Sequence, residues 1–281
     1  MSDHVVETRP TAMFELHPRP TKLVPWLKEI WGFREVTGVL ARKDFQVRYK
    51  RASFGILWAV LLPLLQAIVF VVIFSRVGQF HHTPFNYPAY VLSGVLSWAY
   101  FSTTTLSAST SIVDGATLTD KVWFPRSLLV LVPSISNLFS LLTSMVLLII
   151  AMPIVHAHMT WRLLIIVPAI LLLVALTVSL GLVTSALHVY FRDVKFIVQA
   201  AILVWFYVTP IVYPATALHR LGPWLDFNPM TGVIGLFQFA AAGSYGPMMR
   251  SILVSCAVTA VLFVVGLQAN RRHDRLFVDR L

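Results

Sequence analysis

Residues 42–66 read RKDFQVRYKRASFGILWAVLLPLLQ, and the chain changes character in the middle of this stretch. Five of its first 14 residues are Arg or Lys, whereas only 12% of the whole chain is charged. The residues that follow are almost wholly apolar. Positive charge beside an apolar run is the usual cytoplasmic signal of a membrane helix, and it also suits a surface that docks on lipid headgroups or on a partner protein.

The composition of the chain excludes an ordinary soluble domain. Hydrophobic residues make up 57% of it and its mean hydropathy is +0.77, whereas soluble domains are about 45–50% apolar. The net charge of +10 comes from cations that cluster beside apolar runs, which is a topology pattern and not a nucleic-acid-binding face. We therefore expect a multi-pass protein of the plasma (inner) membrane that contacts membrane lipids and binds no nucleic acid.

Seven stretches without a charged residue are long enough to cross a bilayer, which takes about 20 mostly apolar residues. One of them, 227–249, contains two prolines and four glycines, so we predict short broken or re-entrant helices there, on the external side. With six spans, 18 of the 22 Lys and Arg residues lie on the side of both termini, which makes that side cytoplasmic. The predicted spans lie near 54–76, 88–112, 128–153, 163–188, 196–214 and 251–269.

The expected fold class is therefore an all-α membrane protein with six transmembrane helices. One membrane domain covers residues 31–270, between cytoplasmic tails at 1–30 and 271–281. In the arm before the first span, one helical face is shared by Ala41, Phe45, Arg48 or Tyr49, and Ala52. This spacing predicts an amphipathic helix that lies in the membrane interface.

The chain lacks the motifs of ion-driven carriers and of common hydrolases. All 12 acidic residues lie outside the predicted spans, which disfavours proton- or sodium-driven transport because such carriers place ionisable groups at membrane depth. No GxxxxGK[ST] phosphate loop, HExxH or GxSxG motif occurs. We expect a protein that is not an enzyme and binds no cofactor itself, so that any energy for transport comes from a partner.

Two groups of histidines lie on predicted external hairpins, His81 with His82 and His156 with His158. Neither group is accompanied by a cysteine or a carboxylate, the residues that usually complete a zinc site with histidine. We interpret both groups as interfacial loop residues, and no metal site is predicted.

Hydroxyls and aromatic rings within the spans leave alternatives open. The second span carries STTTLSASTS at 102–111, which favours close helix packing but also fits a polar stripe along a hydrated path. Aromatic residues near span ends are typical of interfacial belts, whereas deeper rings suit the apolar C–H faces of a sugar chain. The channel-lining candidates are Trp58, Trp98, Tyr100, Phe101, Trp205, Phe206 and Tyr207.

Several motifs follow one another in an order that is fairly specific. The join at 42–66 is followed by DKVWFPRSLLVL at 120–131, by FRDVK at 191–195 and by an external Asn228-Pro229-Met230. Over about residues 30–270, the chain resembles ABC-2 type permeases that export polysaccharides such as O-antigen, teichoic acid or galactan.

The resemblance implies a homodimer of this subunit bound to two copies of a cytoplasmic ABC ATPase, which uses ATP and Mg. In that family the N-terminal amphipathic helix and the loop between spans two and three contact the ATPase. The coupling candidates here are Arg42, Lys43, Asp44, Asp120, Lys121, Val122, Phe124, Pro125 and Arg126. The candidates for the lipid diphosphate or headgroup are Arg48, Lys50 and Arg51.

The function that the resemblance implies is ATP-driven export of a polyprenyl-diphosphate-linked polysaccharide. The channel is expected between the two copies, largely from spans one and five. Two alternatives stay open. One is an ABC-2 exporter of drugs or small lipids, and the other is a membrane glycolipid enzyme or scaffold without a transport role.

Overall fold

The computed structural model describes residues 30–50, 54–55, 57–77, 83–116, 125–217, 222–244 and 249–273. Within these ranges helices are the only regular secondary structure, which confirms the predicted all-α class for this part of the chain. The α-helices are α1 Arg34–Tyr49, α2 Leu57–Val77, α3 Tyr87–Asp114, α4 Ser127–Ile154, α5 Ile166–Tyr190, α6 Val194–Val208, α7 Gly222–Leu225, α8 Pro229–Ala242 and α9 Met249–His273. Two short 3-10 helices lie at Trp161–Ile165 and Ala215–Ala217.

Four of the described helices are long and apolar enough to cross a membrane. They are Leu57–Arg76, Ser127–Ile154, Trp161–Tyr190 and Met249–Arg271, with α5 extended by the 3-10 turn before it. These segments coincide with predicted spans one, three, four and six. The protein is therefore a multi-pass membrane protein.

Predicted span five differs from the structure because its helix is shorter. α6 ends at Val208 after 15 residues, or about 22 Å at 1.5 Å per residue. Thr209 adopts an extended backbone conformation, as expected for a residue that precedes proline. Pro210 has no N–H group to continue the helix, so the helix ends well before the predicted boundary at 214.

Predicted span two differs in another way, because α3 has the length of a span without its apolar composition. Of its 28 residues 18 are buried, and they include several Ser and Thr. α2, α4, α5, α6 and α8 all pack against α3. Because protein surrounds this helix, its side chains face other helices and do not need the composition of a lipid-facing surface.

The segment after α6 forms short helices, as its proline and glycine content predicted. α8 begins where Asn228 accepts a hydrogen bond from the backbone N–H of Met230, and it ends at Gly243 in a left-handed conformation. Gly232 lets α8 approach α9 closely, since a Cβ there would overlap the hydroxyl of Ser255 and the backbone carbonyl of Ser251. This close contact fixes α8 in the helical bundle.

α1 packs along the first half of α4. Thr37 and Ala41 are buried in this contact, and the ring centroids of Phe45 and Phe139 lie 5.7 Å apart. The predicted face of Ala41, Phe45 and Arg48 is thus the less exposed side of α1, while the side chain of Tyr49 and residue Ala52 lie outside the described residues. The bundle therefore holds α1 beside the helices that form the site described next.

Candidate functional site

A cavity of about 910 Å³ lies between α2, α3, α4 and α6. Its lining residues on α2 are Trp58, Ala59, Leu62, Pro63 and Gln66, and those on α6 are Phe196, Gln199, Ala200, Ile202, Leu203, Phe206 and Tyr207. α3 and α4 add Leu96, Trp98, Ala99, Tyr100, Ser102, Thr103, Leu106, Asn137, Ser140, Leu141 and Ser144. Arg48 of α1 is the one charged residue among the described lining residues.

Arg48 is held at the cavity by two hydrogen bonds. Its guanidinium donates to Oδ1 of Asn137 over 2.7 Å and to a carboxylate oxygen of Asp44 over 3.1 Å. Asn137 in turn donates from Nδ2 to the hydroxyl of Thr104 over 3.0 Å. The chain of contacts joins α1 to α4 and α3, and its only cation faces the cavity.

The other basic candidates on α1 lie apart from this network. Arg42, Lys43 and Lys50 are exposed, whereas Arg48 is half-buried. Arg51 lies outside the described residues. Of these described basic residues, the structure therefore places one in the cavity lining and the others on the outward side.

The predicted coupling loop is described only at its end. Asp120, Lys121, Val122 and Phe124 lie outside the described residues. Pro125 and Arg126 are buried directly before α4 begins at Ser127. The coupling roles proposed for these residues and for Arg42, Lys43 and Asp44 stay predictions.

Five of the seven predicted channel aromatics line the cavity. They are Trp58, Trp98, Tyr100, Phe206 and Tyr207. The two others stand behind this wall: Phe101 is fully buried, and Trp205 donates from Nε1 to Oδ1 of Asn228 over 2.8 Å. Their ring contacts support the wall, since the ring centroid of Phe101 lies 5.1 Å from that of Trp98 and 5.3 Å from that of Trp205.

The aromatic residues that line the cavity differ in how exposed they are. Trp98, Tyr100 and Phe206 are 6%, 4% and 7% exposed, so mainly their edges reach the open space. Tyr207 is 65% exposed and Trp58 36%. The exposed rings of Tyr207 and Trp58 offer the larger surfaces for an apolar or C–H contact.

The hydroxyl-rich stretch at 102–111 lies in two different environments. Ser109 is buried and donates to the carbonyl of Leu106, and Ala108 lies so close to Gly181 of α5 that a Cβ on that glycine would overlap it. Ser102 and Thr103, at the other end of the stretch, line the cavity. One end of the stretch thus packs against α5 while the other contributes polar groups to the site.

The end of α6 is fixed by a turn whose carbonyls are capped by side chains. The hydroxyl of Tyr87 donates to the carbonyl of Val212 over 2.7 Å, and that of Tyr90 donates to the carbonyl of Pro210 over 3.0 Å. Gln238 of α8 donates to the carbonyls of Pro210 and Ile211. Such capping is what non-helical backbone at membrane depth requires, and it holds one end of the α6 wall in place.

Three amides of the cavity were not among the predicted site residues: Gln66, Asn137 and Gln199. The sequence does contain a feature that indicates the two glutamines, because each interrupts an otherwise apolar run of its helix. A polar side chain in such a run marks a face turned toward protein or water. Which face that is becomes clear only once the neighbouring helices are in place.

The described residues contain no group of three or more His, Cys, Asp or Glu that could hold a metal ion. His156 and His158 are exposed. His81 and His82 lie outside the described residues, so the interpretation of that pair stays a prediction.

Residues 35–241 match the family model described as ABC-2 type transporter. Curated relatives extend the similarity over most of the chain. The O-antigen export system permease protein RfbA of Myxococcus xanthus is 26% identical over 243 residues, which cover 85% of this chain and 93% of that protein. A protein of the same name from Klebsiella pneumoniae is 27% identical over 250 residues, which cover 86% of this chain and 93% of the relative.

Proposed function

This chain belongs to the ABC-2 type transporter family, and we propose that it is the permease subunit of an ATP-driven exporter of a polyprenyl-diphosphate-linked polysaccharide. The observation that carries the proposal is similarity along 93% of the length of relatives named as O-antigen export permeases. The chain thus shares almost their whole length and not only a membrane segment. The cargo is an O-antigen-like, galactan-like or teichoic-acid-like polymer.

The chemistry of the cavity supports a glycan as cargo. A sugar presents apolar C–H faces and hydroxyl edges, so it suits aromatic rings interleaved with uncharged polar groups. The cavity combines the rings of Trp58 and Tyr207 with the amides of Gln66 and Gln199. It carries its one described cation, Arg48, at the end where α1 lies.

Arg48 is the group that we assign to the lipid diphosphate. Its two hydrogen bonds engage part of a guanidinium that has five N–H donors, and its side chain is 27% exposed. Arginine binds phosphate oxygens through charge-assisted, often bidentate hydrogen bonds. Lys50 and Arg51 would extend this positive region toward anionic lipid headgroups.

The open side of the cavity supports a second copy as its other wall. Only 11% of the residues in the apolar part of α2 are buried within one chain. Leu62 and Leu203 both line the cavity, yet they are 59% and 64% exposed. In our proposal two copies face each other through α2 and α6 and close a channel between them. The six spans are then α2, α3, α4, α5, α6 with the turn after it, and α9, in the plasma membrane with both termini cytoplasmic.

The position of α1 supports a route by which movement of ATPase subunits could be transmitted to the cavity. In our proposal two copies of a cytoplasmic ABC ATPase bind ATP and Mg, while this chain binds neither. They dock on the outward side of α1, where Arg42 and Lys43 are exposed, and on the loop at 117–126. Movement of α1 then reaches α4 and the cavity through Arg48 and Asn137.

A deletion strain tests the proposed function. Loss of the gene should abolish the surface polysaccharide and leave the lipid-linked polymer on the cytoplasmic face, and a nucleotide-binding subunit should copurify with the tagged permease. Unchanged surface polymer in the deletion strain would contradict the proposal. If a small hydrophobic compound but no lipid-linked glycan stimulates ATP hydrolysis by the reconstituted complex, the protein is instead an exporter of drugs or small lipids. The apolar side chains of Ala59, Leu62 and Pro63 would also fit such a cargo.

A further inference from the structure

The helices α2 and α6 each place one glutamine on the face that they turn toward the cavity. On α2 the cavity-facing residues run from Ala59 through Leu62 and Pro63 to Gln66, which is the spacing of one helical face. On α6 the same spacing includes Gln199. Gln66 is the only side chain with a hydrogen-bonding group between Ala59 and Phe74.

Neither glutamine side chain makes a hydrogen bond to another residue in the described part of the chain. Gln66 and Gln199 are both exposed, and neither side chain donates to or accepts from another described residue. A glutamine amide has two donor hydrogens and a carbonyl oxygen with two acceptor sites. Leaving such a group without partners at membrane depth is costly, so an external partner in the cavity is the expected reason for both residues.

The two amides lie at similar depth. In the proposed six-span arrangement α2 and α6 are spans one and five and cross the membrane in the same direction. The rings of Phe70 and Phe206 stack with centroids 5.6 Å apart. Gln66 precedes Phe70 by four residues and Gln199 precedes Phe206 by seven, so the amides differ by about 4–5 Å along the bundle axis. One extended molecule in the cavity can therefore meet both.

The opposite wall supplies acceptors at the same site. Ser102 and Ser144 line the cavity and donate their hydroxyl hydrogens to backbone carbonyls of their own helices, which leaves their oxygens able to accept. Ser140, which also lines the cavity, has a buried hydroxyl without a hydrogen-bond partner in the described structure. Amides on one wall and hydroxyl oxygens on the other match a ligand that both donates and accepts along its length.

We propose that Gln66 and Gln199 form an uncharged hydrogen-bonding subsite for the hydroxyl groups of a glycan. This inference rests on the proposed function and adds a recognition role for the carbohydrate part of the cargo. An acyl chain or an apolar drug would leave both amides unsatisfied, so the pair selects for hydroxyl-bearing chains. The subsite holds the passing glycan by neutral hydrogen bonds, which are weak enough to release it.

The test uses the protein in its own host, with the polymer that the host makes. A strain with the gene deleted receives wild type, Gln66→Leu, Gln199→Leu or the double variant at equal membrane levels, and pulse labelling measures the rate at which labelled polymer reaches the surface. Leucine has a similar size but no hydrogen-bonding group. Loss of one neutral hydrogen bond is expected to slow export about 2- to 10-fold for each single variant, and more for the double variant.

Further variants separate recognition from folding. Gln66→Asn and Gln199→Asn keep the amide and should restore part of the export rate. Val69→Leu and Val204→Leu, at exposed positions that do not line the cavity, should export at the wild-type rate.

Three outcomes would overturn the inference. Wild-type export by the double leucine variant would do so while leaving the proposed function intact. A parallel loss of export and of the dimeric form would show that the amides pair between copies. Surface polymer that does not depend on the gene at all would overturn the proposed function together with this subsite.

Discussion

The guanidinium of Arg48 donates a hydrogen bond to Oδ1 of Asn137 over 2.7 Å, although the two residues lie 89 positions apart in the chain. Asn137 also donates to the hydroxyl of Thr104. One amide therefore connects the arm helix α1 to two helices of the cavity wall. A displacement of α1 can therefore be transmitted to the cavity wall through these hydrogen bonds, independently of the segment that joins α1 to α2.

Replacing Asn137 with Leu should loosen α1 from the bundle. The substitution leaves the buried Thr104 hydroxyl and the Arg48 guanidinium without this partner, at a cost of about 1–3 kcal/mol for each unsatisfied group. The backbone amides of Arg34–Tyr49 should then exchange hydrogen faster, as measured by mass spectrometry. Thr143→Val, which removes a hydroxyl bonded only within α4, is the matched control, and unchanged exchange in the Asn137 variant would contradict the linkage.

The aromatic wall should divide into structural and functional members. Trp98 is 6% exposed and packs on Phe206 with ring centroids 5.6 Å apart, so Trp98→Ala should destabilise the protein by about 3–5 kcal/mol. Tyr207→Ala and Trp58→Ala should remain folded and lower export, because these rings are exposed and line the cavity. Thermal unfolding in detergent and the export rate are measured on the same variants. If Tyr207→Ala and Trp58→Ala lower the unfolding temperature as Trp98→Ala does, all three residues are structural.

Gly232→Ala should push α8 away from α9. The added methyl would overlap the backbone carbonyl of Ser251, and backbone moves less easily than a side chain. We expect a loss of about 1–3 kcal/mol in the free energy of unfolding, which Ser255→Ala should not restore because the overlap with the carbonyl remains. Gly38→Ala in α1, where nothing lies within 4 Å of the new methyl, should be neutral or slightly stabilising; equal effects at both glycines would argue against the close contact.

Tyr90→Phe should free the turn after α6. The hydroxyl of Tyr90 donates to the carbonyls of Pro210 and Tyr213, so its loss leaves carbonyls underbonded at a cost of about 1–3 kcal/mol. Backbone amides at 209 and 211–213 should exchange hydrogen faster. Tyr207→Phe removes a hydroxyl that makes no hydrogen bond within the described residues and should leave this exchange unchanged; no difference between the two variants would show that the hydroxyl does not hold the turn.

Charge reversal in the loop before α4 should uncouple the ATPase from export. Asp120→Lys or Lys121→Glu would disrupt docking of a partner while leaving the spans intact, and Phe124→Ala should act in the same direction by removing an apolar contact. The expected result is normal membrane insertion and ATP hydrolysis with little surface polymer. A matching loss of inserted protein would show that the loop serves folding alone.

Apolar runs made α2, α4, α5 and α9 predictable, because the length of such a run is set by the thickness of the bilayer. α3 was found from its lack of charge, although its composition reflects neighbours that only the folded bundle supplies. The end of α6 could have been placed at Pro210, whose missing N–H is a local property. Its predicted boundary at 214 instead followed the apolar pattern past that residue.

The site was harder to predict than the fold. Aromatic type and depth indicated the cavity wall, but they did not separate Phe101 and Trp205, which stand behind it, from the rings that line it. Arg48 was identified as basic, yet its partner Asn137 lies far away in the chain and on another helix. Such contacts depend on the rotation of each helix about its axis, which an apolar span leaves weakly specified.

The low apolar content of α3 has a consequence for how the protein is made. A helix with so many hydroxyls and so few lipid-facing residues gains little by leaving the insertion channel for the bilayer alone. α2, which is almost wholly apolar, can wait in lipid, but α3 has to remain at the insertion site until α4 emerges to cover it. While residues 116–154 are being made, α2 is the only one of the described helices packed against α3 that already exists. We therefore expect α3 in the nascent chain to be most accessible to quality-control proteases at this stage.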